Sequence, residues 1–488
     1  MIKSLKNSLL KNNKYIYTFA GNIVPLLVGF LTVPFTLRYF GVEVVGFIAI
    51  CWLLVGYSGI FDLGLSRSMT QMVSRLLPYQ DFKGIRKYFW TTFIVSLVFS
   101  LILTIVINYY ASNIISLFKI SDNLENIAVK SFRLLSLSIP FIILASVLVG
   151  FLTAYSSFNK INIIKVPIGI VMMIAPIICY YLNLGIIGIM YILLLSRVLS
   201  FICYFYIIFS EHSFLRKIDW SFYGLNDLLN QGLWMTLSNI ISPLIVNFDR
   251  FVLGSLISIQ AVAYYSTVYD VISKLHIIPT TFVTVLFPMF AYNSSSDETT
   301  KNSLLIGKYI LIVLLIISPI IFTTQIWSYD LISIWINPDF AMKSYKIAMI
   351  LLIGVFWNCL AQIPFTFLQA NGYSSKTALF HIIELVVFLP ILYFSITKFG
   401  IKGAALAWSI RVVIDFMLLF YYSNKISKQL LDNSIAFFAI VLSICFVLIL
   451  LIDSNNIYFK CILTFFMFST YLYFFKNNKY IFYDNRKK

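Results

Sequence analysis

Apolar runs of about 20 residues, each long enough to cross roughly 30 Å of hydrocarbon as a helix, recur from one end of the chain to the other. We count fourteen, beginning near residues 16, 44, 88, 129, 161, 186, 230, 262, 304, 346, 377, 402, 435 and 457. The connections are mostly short and leave no room for a soluble domain of any size. The pattern predicts an all-α, polytopic integral membrane protein with about 14 transmembrane helices. An internal repeat orders these runs. Residues 21–30 around Pro25 match residues 239–248 around Pro243 at an offset of 218. Phe151 to Ala154 with Lys160 matches Phe367 to Ala370 with Lys376, offset by 216. Gly185 and Gly188 with Arg197 echo Gly400 and Gly403 with Arg411, offset by 215 and then 214. The chain therefore reads as an N-terminal six-helix lobe (1–215), a C-terminal six-helix lobe (216–430) and two additional helices with a basic tail (431–488). An even number of spans per repeat keeps its direction, so the two halves are related by an axis along the membrane normal.

One stretch breaks the apolar pattern. Between Ser58 and Arg75 lie Asp62, Arg67, Gln71 and Arg75, with several hydroxyls, inside what should be the second span. An ionised side chain in hydrocarbon costs about 2.5 to 3.5 kcal/mol on insertion scales, so it normally faces a wet cavity, a partner or the headgroups. On a helix, Arg67, Gln71 and either Ser74 or Arg75 share one face beside the apolar face of Leu65, Met69, Met72 and Val73. Two readings follow. That face lines a cavity, or Gly64 loosens the helix, Asp62 caps it, and the two arginines snorkel toward the headgroups.

Composition agrees with the spans: 60% of the 488 residues are hydrophobic and 11% charged. The net charge of +17 on such a chain points to loops at anionic headgroups, not to nucleic acid. With the N-terminus inside, 22 cations fall in cytoplasmic segments and 8 in outer ones, leaving six in spans. Both termini are then expected to be cytoplasmic. The first run, about Tyr15 to Phe40, is too long for a removable signal and should be retained as a span. The six cysteines sit singly in apolar runs without paired spacing, so neither a disulfide framework nor a metal site is expected.

The six cations within spans are Arg67, Arg133, Arg197, Arg250, Lys274 and Arg411. The acids there are Asp62, Asp249, Asp270, Glu384 and Asp415, candidates for ion coupling or for structural pairing. Asp270 with Lys274, and Arg411 with Asp415, have the i,i+4 spacing of helical ion pairs. Asp249 and Arg250 are adjacent, so their side chains diverge by roughly 100°. Arg133 and Arg197 have no acid close in sequence, and Glu384 has no cation close in sequence. An arginine without an internal acid needs an outside anion, and its planar fork matches phosphate oxygens. The histidines His212, His276 and His381 are too far apart in sequence to suggest a site. Eleven of the thirteen prolines fall inside spans, and Pro34, Pro243 and Pro288 are the hinge candidates. Neither a nucleotide-binding Gly-Lys-Ser/Thr loop nor a His-Glu-x-x-His helix is present, and no large outer loop carries paired carboxylates. The chain is not expected to be an enzyme or to need a cofactor.

Asn22, Pro25, Pro34 and Arg38-Tyr39-Phe40-Gly41-Val42-Glu43, followed by Phe61-Asp62-Leu63-Gly64-Leu65-Ser66-Arg67, resemble the polysaccharide-export flippases (Wzx-type), which translocate O-antigen and capsule repeat units. Asp249-Arg250-Phe251-Val252-Leu253-Gly254 is similar to a second pattern of that family. Multidrug and toxin extruders and lipid II flippases belong to the same superfamily. The resemblance implies a two-lobed exporter in the bacterial cytoplasmic (inner) membrane. It would move an undecaprenyl-diphosphate-linked oligosaccharide from the cytoplasmic to the outer leaflet by alternating access, with the six cations forming its cationic cavity. Coupling to a proton or sodium gradient, and contact with other polysaccharide assembly proteins, would fit that role. By the same analogy, the last two helices would border a groove for the lipid tail. A multidrug or toxin cation antiporter, a lipid II flippase and, from a different class, a membrane glycan polymerase or ligase remain as alternatives. An extruder of cations should carry acids in its first span, and a polymerase should carry a long outer loop. Neither feature is found.

Overall fold

The computed structural model describes residues 27–52, 64–219, 221, 247–295, 299–427, 442, 444–449, 457–465 and 469. Among them every regular element is helical. The helices are α1 (Leu27–Trp52), α2 (Leu65–Leu76), α3 (Phe82–Tyr109), α4 (Ala111–Ser116), α5 (Asp122–Ser136), α6 (Ile139–Ala154), α7 (Phe158–Tyr181), α8 (Gly185–Glu211), α9 (247–256), α10 (Ile259–Ile272), α11 (Ile277–Ser295), α12 (Thr299–Ile326), α13 (Ser328–Trp335), α14 (Pro338–Ala370), α15 (Ser374–Phe399) and α16 (Ile401–Ser427). Further helical pieces cover 444–449 and 457–465. Nine segments among the described residues are long and apolar enough to span a membrane. The protein is a polytopic all-α membrane protein. The expected run near 230 lies outside the described residues, as does most of the run near 435.

By contacts the chain forms two compact units, Met1–Ala263 and Tyr264–Lys488. The boundary lies beyond residue 215 because α9 and its following turn are bonded to the α4–α5 connection. Lys119 N donates to Gly254 O (2.9 Å), Ile259 N donates to Lys119 O (3.2 Å), and the Lys119 ammonium reaches Leu256 O (2.5 Å). Glu43 accepts from Ser121 N at 2.7 Å and from its hydroxyl at 3.1 Å. Gly41, with φ +83°, interrupts the helical geometry of α1 where the hydropathy pattern places the first connection. A Cβ on Gly46 would lie 1.9 Å from Ile259 O, so α1 can approach residue 259 only through a glycine.

The first unit is built on the apolar face of α2. Leu65, Met69, Met72 and Val73 are all buried, against Phe89 of α3 and Leu148 and Phe151 of α6. That face is the one predicted from helical spacing. At the crossing with α6 the Thr70 hydroxyl donates to Gly150 O at 2.9 Å, and a Cβ on Gly150 would press on Ser66 O. Small residues let the backbones close in, as membrane helix pairs require. The segment after α8 is strapped to α3. Trp90 Nε1 donates to Leu215 O (2.9 Å), Arg86 pairs with Asp219 (3.0 Å), and Ser221 N donates to the Thr91 hydroxyl (3.1 Å).

In the second unit α14 is central and packs against α11, α12, α13 and α16. Gly354 of α14 leaves room for the fully buried Trp408, and the Ser409 hydroxyl donates to Ile350 O at 3.0 Å. Buried Gln325 of α12 donates to both Met349 O (3.2 Å) and Phe446 O (3.0 Å), which ties residues 444–449 to the unit. Lys460 is buried, pairs with Asp330 at 2.5 Å and lies over the Trp327 ring. The turn from α15 to α16 needs its glycines. Gly400 has φ +58°, and a Cβ on Gly403 would meet Ser395 O at 1.9 Å.

Candidate functional site

The α15–α16 hairpin gathers the most concentrated buried charge among the described residues. Glu384 stands 16 residues before Gly400, and Asp415 stands 15 after it. At 1.5 Å per residue these are depths of about 24 and 22 Å along antiparallel helices, so the two carboxyls meet at one level. Arg411, one turn nearer the bend, places a guanidinium nitrogen 3.8 Å from Glu384 Oε2. His381 Nδ1, on the same helix as Glu384 at i,i+3, also lies 3.8 Å from that oxygen. Donor atoms of His381, Glu384 and Asp415 fall within 4.8 Å of one another. The side chain of Glu384 is 1% exposed and that of Arg411 10%. Arg411 also lies over the Phe388 ring, 5.7 Å from its centroid. Both Glu384 oxygens, Asp415 Oδ1 and Arg411 Nε lack a hydrogen-bond partner.

This arrangement corrects two local readings. The i,i+4 spacing suggests that Arg411 pairs with Asp415, but the ion pair of Arg411 is with Glu384 on the neighbouring helix. Glu384, without a cation close in sequence, gains one in space. A cross-helix partner is invisible to local spacing, although the hairpin arithmetic could have found it. The proximity of His381 to Glu384 follows from their i,i+3 spacing on one helix.

Charges of the first unit are held differently. Arg197, in the middle of α8, is half-buried with Nε unpartnered, two turns before Tyr204. The Tyr204 hydroxyl donates to Ile161 O at 3.1 Å. Arg133 is exposed in the last turn of α5, where a cation complements the helix dipole. Its carbonyl accepts from Ser136 Oγ and Asn108 Nδ2. Arg67 is exposed on α2, on the same side as Ser74 and Arg75 and opposite the buried face. The N-cap of α2 is Gly64, in a left-handed conformation. Asp62 itself and Pro243 lie outside the described residues.

Asp249 and Arg250 are both buried in α9, and Asp249 Oδ1 accepts from Arg250 N at 2.7 Å. In the second unit Asp270 and Lys274 are exposed. Pro34 lies within α1, and Pro288 within α11. The structure thus brings Glu384, Arg411 and Asp415 together and leaves Arg67, Arg133 and Arg197 on separate helices of the first unit.

The polysaccharide biosynthesis protein family matches residues 38–341. A protein of Shigella flexneri named "Putative O-antigen transporter" is 33% identical over 418 residues, 84% of this chain and 97% of that protein. Among solved structures, the lipid II flippase MurJ in an inward closed conformation matches with a TM-score of 0.76 at 16% identity, covering 95% of this chain and 99% of that one. An inward-facing multidrug resistance MATE family transporter matches with a TM-score of 0.70 at 15% identity, covering 85% and 98%. At those identities the two structures establish a shared fold and no more.

Proposed function

The chain belongs to the polysaccharide biosynthesis family of membrane flippases, transporters and not enzymes, and from that premise we propose that it translocates a lipid-diphosphate-linked oligosaccharide repeat unit. Undecaprenyl diphosphate is the carrier expected, and the direction is from the cytoplasmic to the outer leaflet of the bacterial inner membrane. Both termini are cytoplasmic in this reading, and transport proceeds by alternating access. The name of the Shigella flexneri relative supports the O-antigen class of cargo.

The observation that carries the reading is Arg197. A guanidinium held at mid-span, with its Nε buried and unpartnered, is costly unless an anion visits it. A diphosphate with sugars attached cannot cross hydrocarbon unaided, because its charges and hydroxyls would lose their water. An arginine fork offsets that desolvation with charge-assisted hydrogen bonds. Arg67, Arg133 and Arg250 are the further phosphate contacts proposed, with Arg67 on the exposed face of α2 receiving the head group first.

Deletion of the gene tests the reading. Completed lipid-linked repeat units are expected to accumulate on the cytoplasmic side, and Arg197→Gln, at unchanged protein level, should accumulate them too. An unchanged pool after deletion contradicts the proposal.

A further inference from the structure

The His381–Glu384–Arg411–Asp415 cluster does not balance its charge. With both acids ionised and His381 neutral, two negative charges face one positive charge. Glu384 and Asp415 are 3% and 9% exposed, Asp415 bears directly on Glu384, and neither Glu384 oxygen has a hydrogen-bond donor. Among the described residues, the long helices packed against α15 and α16 add no charge alongside the cluster. No charged residue occurs in α14 between Lys346 and Ala370, nor in α12 between Lys308 and Ile326. On α15, His381 lies 3.8 Å from Glu384 and the Phe388 ring lies under Arg411.

Two carboxyls that share a desolvated site repel each other when both are ionised, and a single proton held between them relieves that repulsion. We propose that Glu384 and Asp415 form a proton-binding dyad that carries one shared proton, with Arg411 as its fixed counter-charge and His381 as its exchange partner. The side chain of His381 is 20% exposed, against 1% for Glu384, so it is the member of the cluster that meets the surroundings. With one proton bound the cluster is neutral: one carboxylate faces the guanidinium, and one carboxylic acid donates to the other carboxyl. Loss of the proton leaves a net negative charge in a buried site, so release must accompany a rearrangement that solvates or re-pairs it.

The internal repeat sets this site apart. At the 214-residue offset that superposes Arg197 on Arg411, Glu384 corresponds to Ile170, Asp415 to Phe201 and His381 to Pro167. The first repeat keeps the arginine without any of the titratable partners. The proposal rests on the transport reading for its consequence, which is that a proton gradient drives the cycle through the second unit. The existence of the bound proton does not depend on that reading.

The test is infrared difference spectroscopy of the full-length protein in lipid vesicles, titrated across neutral pH. Wild type is expected to show the carbonyl stretch of one buried protonated carboxylic acid. Glu384→Gln and Asp415→Asn should each abolish it, because the remaining acid pairs with Arg411 as a carboxylate. Both substitutions are nearly isosteric and keep the arginine paired, and the wild-type spectrum is itself decisive. Absence of the band from wild type overturns the proposal. So does a band that survives in both variants, or one that follows sodium concentration and ignores pH. Transport that fails in every assay while the band behaves as stated would contradict the function and leave the proton site standing.

Discussion

Arg197 and Arg411 occupy corresponding positions of the internal repeat, each on a long helix that follows a glycine-marked turn, yet they are satisfied in opposite ways. Arg411 has Glu384 at 3.8 Å from the preceding helix and Asp415 one turn further along its own. Arg197 has apolar residues at the matching positions, and its Nε remains unpartnered. The same residue type in the same fold context can therefore be a fixed internal counter-charge or a waiting anion site. What decides is whether acids stand one helix away. Counting intramembrane arginines does not separate these roles; their neighbours do.

Removing Arg411 should have the largest effect on stability. Breaking a buried pair by deleting one partner costs about 3–5 kcal/mol, so Arg411→Met is expected to lower the thermal unfolding temperature of the purified protein markedly. Adding Glu384→Gln to that variant should recover most of the loss, since Asp415 can then hold its own proton. If the double variant is as unstable as the single one, the cluster is not an internally compensated unit.

The converse experiment gives Arg197 what Arg411 has. Phe201→Asp places an acid at i+4 from Arg197, on the model of Arg411 and Asp415. If Arg197 acts on a visiting anion, a built-in acid should compete with it and lower export by about tenfold, the equivalent of about 1.4 kcal/mol and near the low end of a charged hydrogen bond. Surface glycan measured at equal protein level reads this out, and unchanged export would place the anion contact elsewhere.

The smallest expected effect concerns a histidine outside the spans. His212 packs against Tyr155 (4.6 Å between centroids), Phe151 and Phe214. Burial holds its pKa below the usual 6.5; Glu211 opposes that shift and Lys160 adds to it. The unfolded chain therefore takes up this proton first as pH falls. The contribution of His212 is at its full value above about pH 6.5 and declines below it. His212→Phe should flatten that part of the pH–stability curve of the purified protein, whereas an unaltered curve would mean that other groups set it.

Much of this was legible in the sequence, and for definite reasons. Hydropathy gave the spans because a bilayer demands about 20 apolar residues at a time. Helical spacing gave the buried face of α2 residue by residue, since Leu65, Met69, Met72 and Val73 obey one period. The repeat exposed the correspondence of Arg197 with Arg411. Cross-helix pairing was not legible from local spacing. Glu384 and Asp415 lie 31 positions apart, and only the tight Gly400 turn sets them at one depth, with Arg411 one turn nearer the bend. The attachment of α9 to the first unit rests on backbone bonds around Lys119 and Gly254, which side-chain patterns do not record.

The most direct test of the contrast between the two arginines is binding of undecaprenyl diphosphate to the purified protein in lipid nanodiscs. The account predicts that Arg197→Gln weakens binding by about tenfold or more, while the paired Arg411→Met/Glu384→Gln variant binds within about twofold of wild type. Equal binding by wild type and Arg197→Gln, or a loss confined to the Arg411 variant, would contradict it.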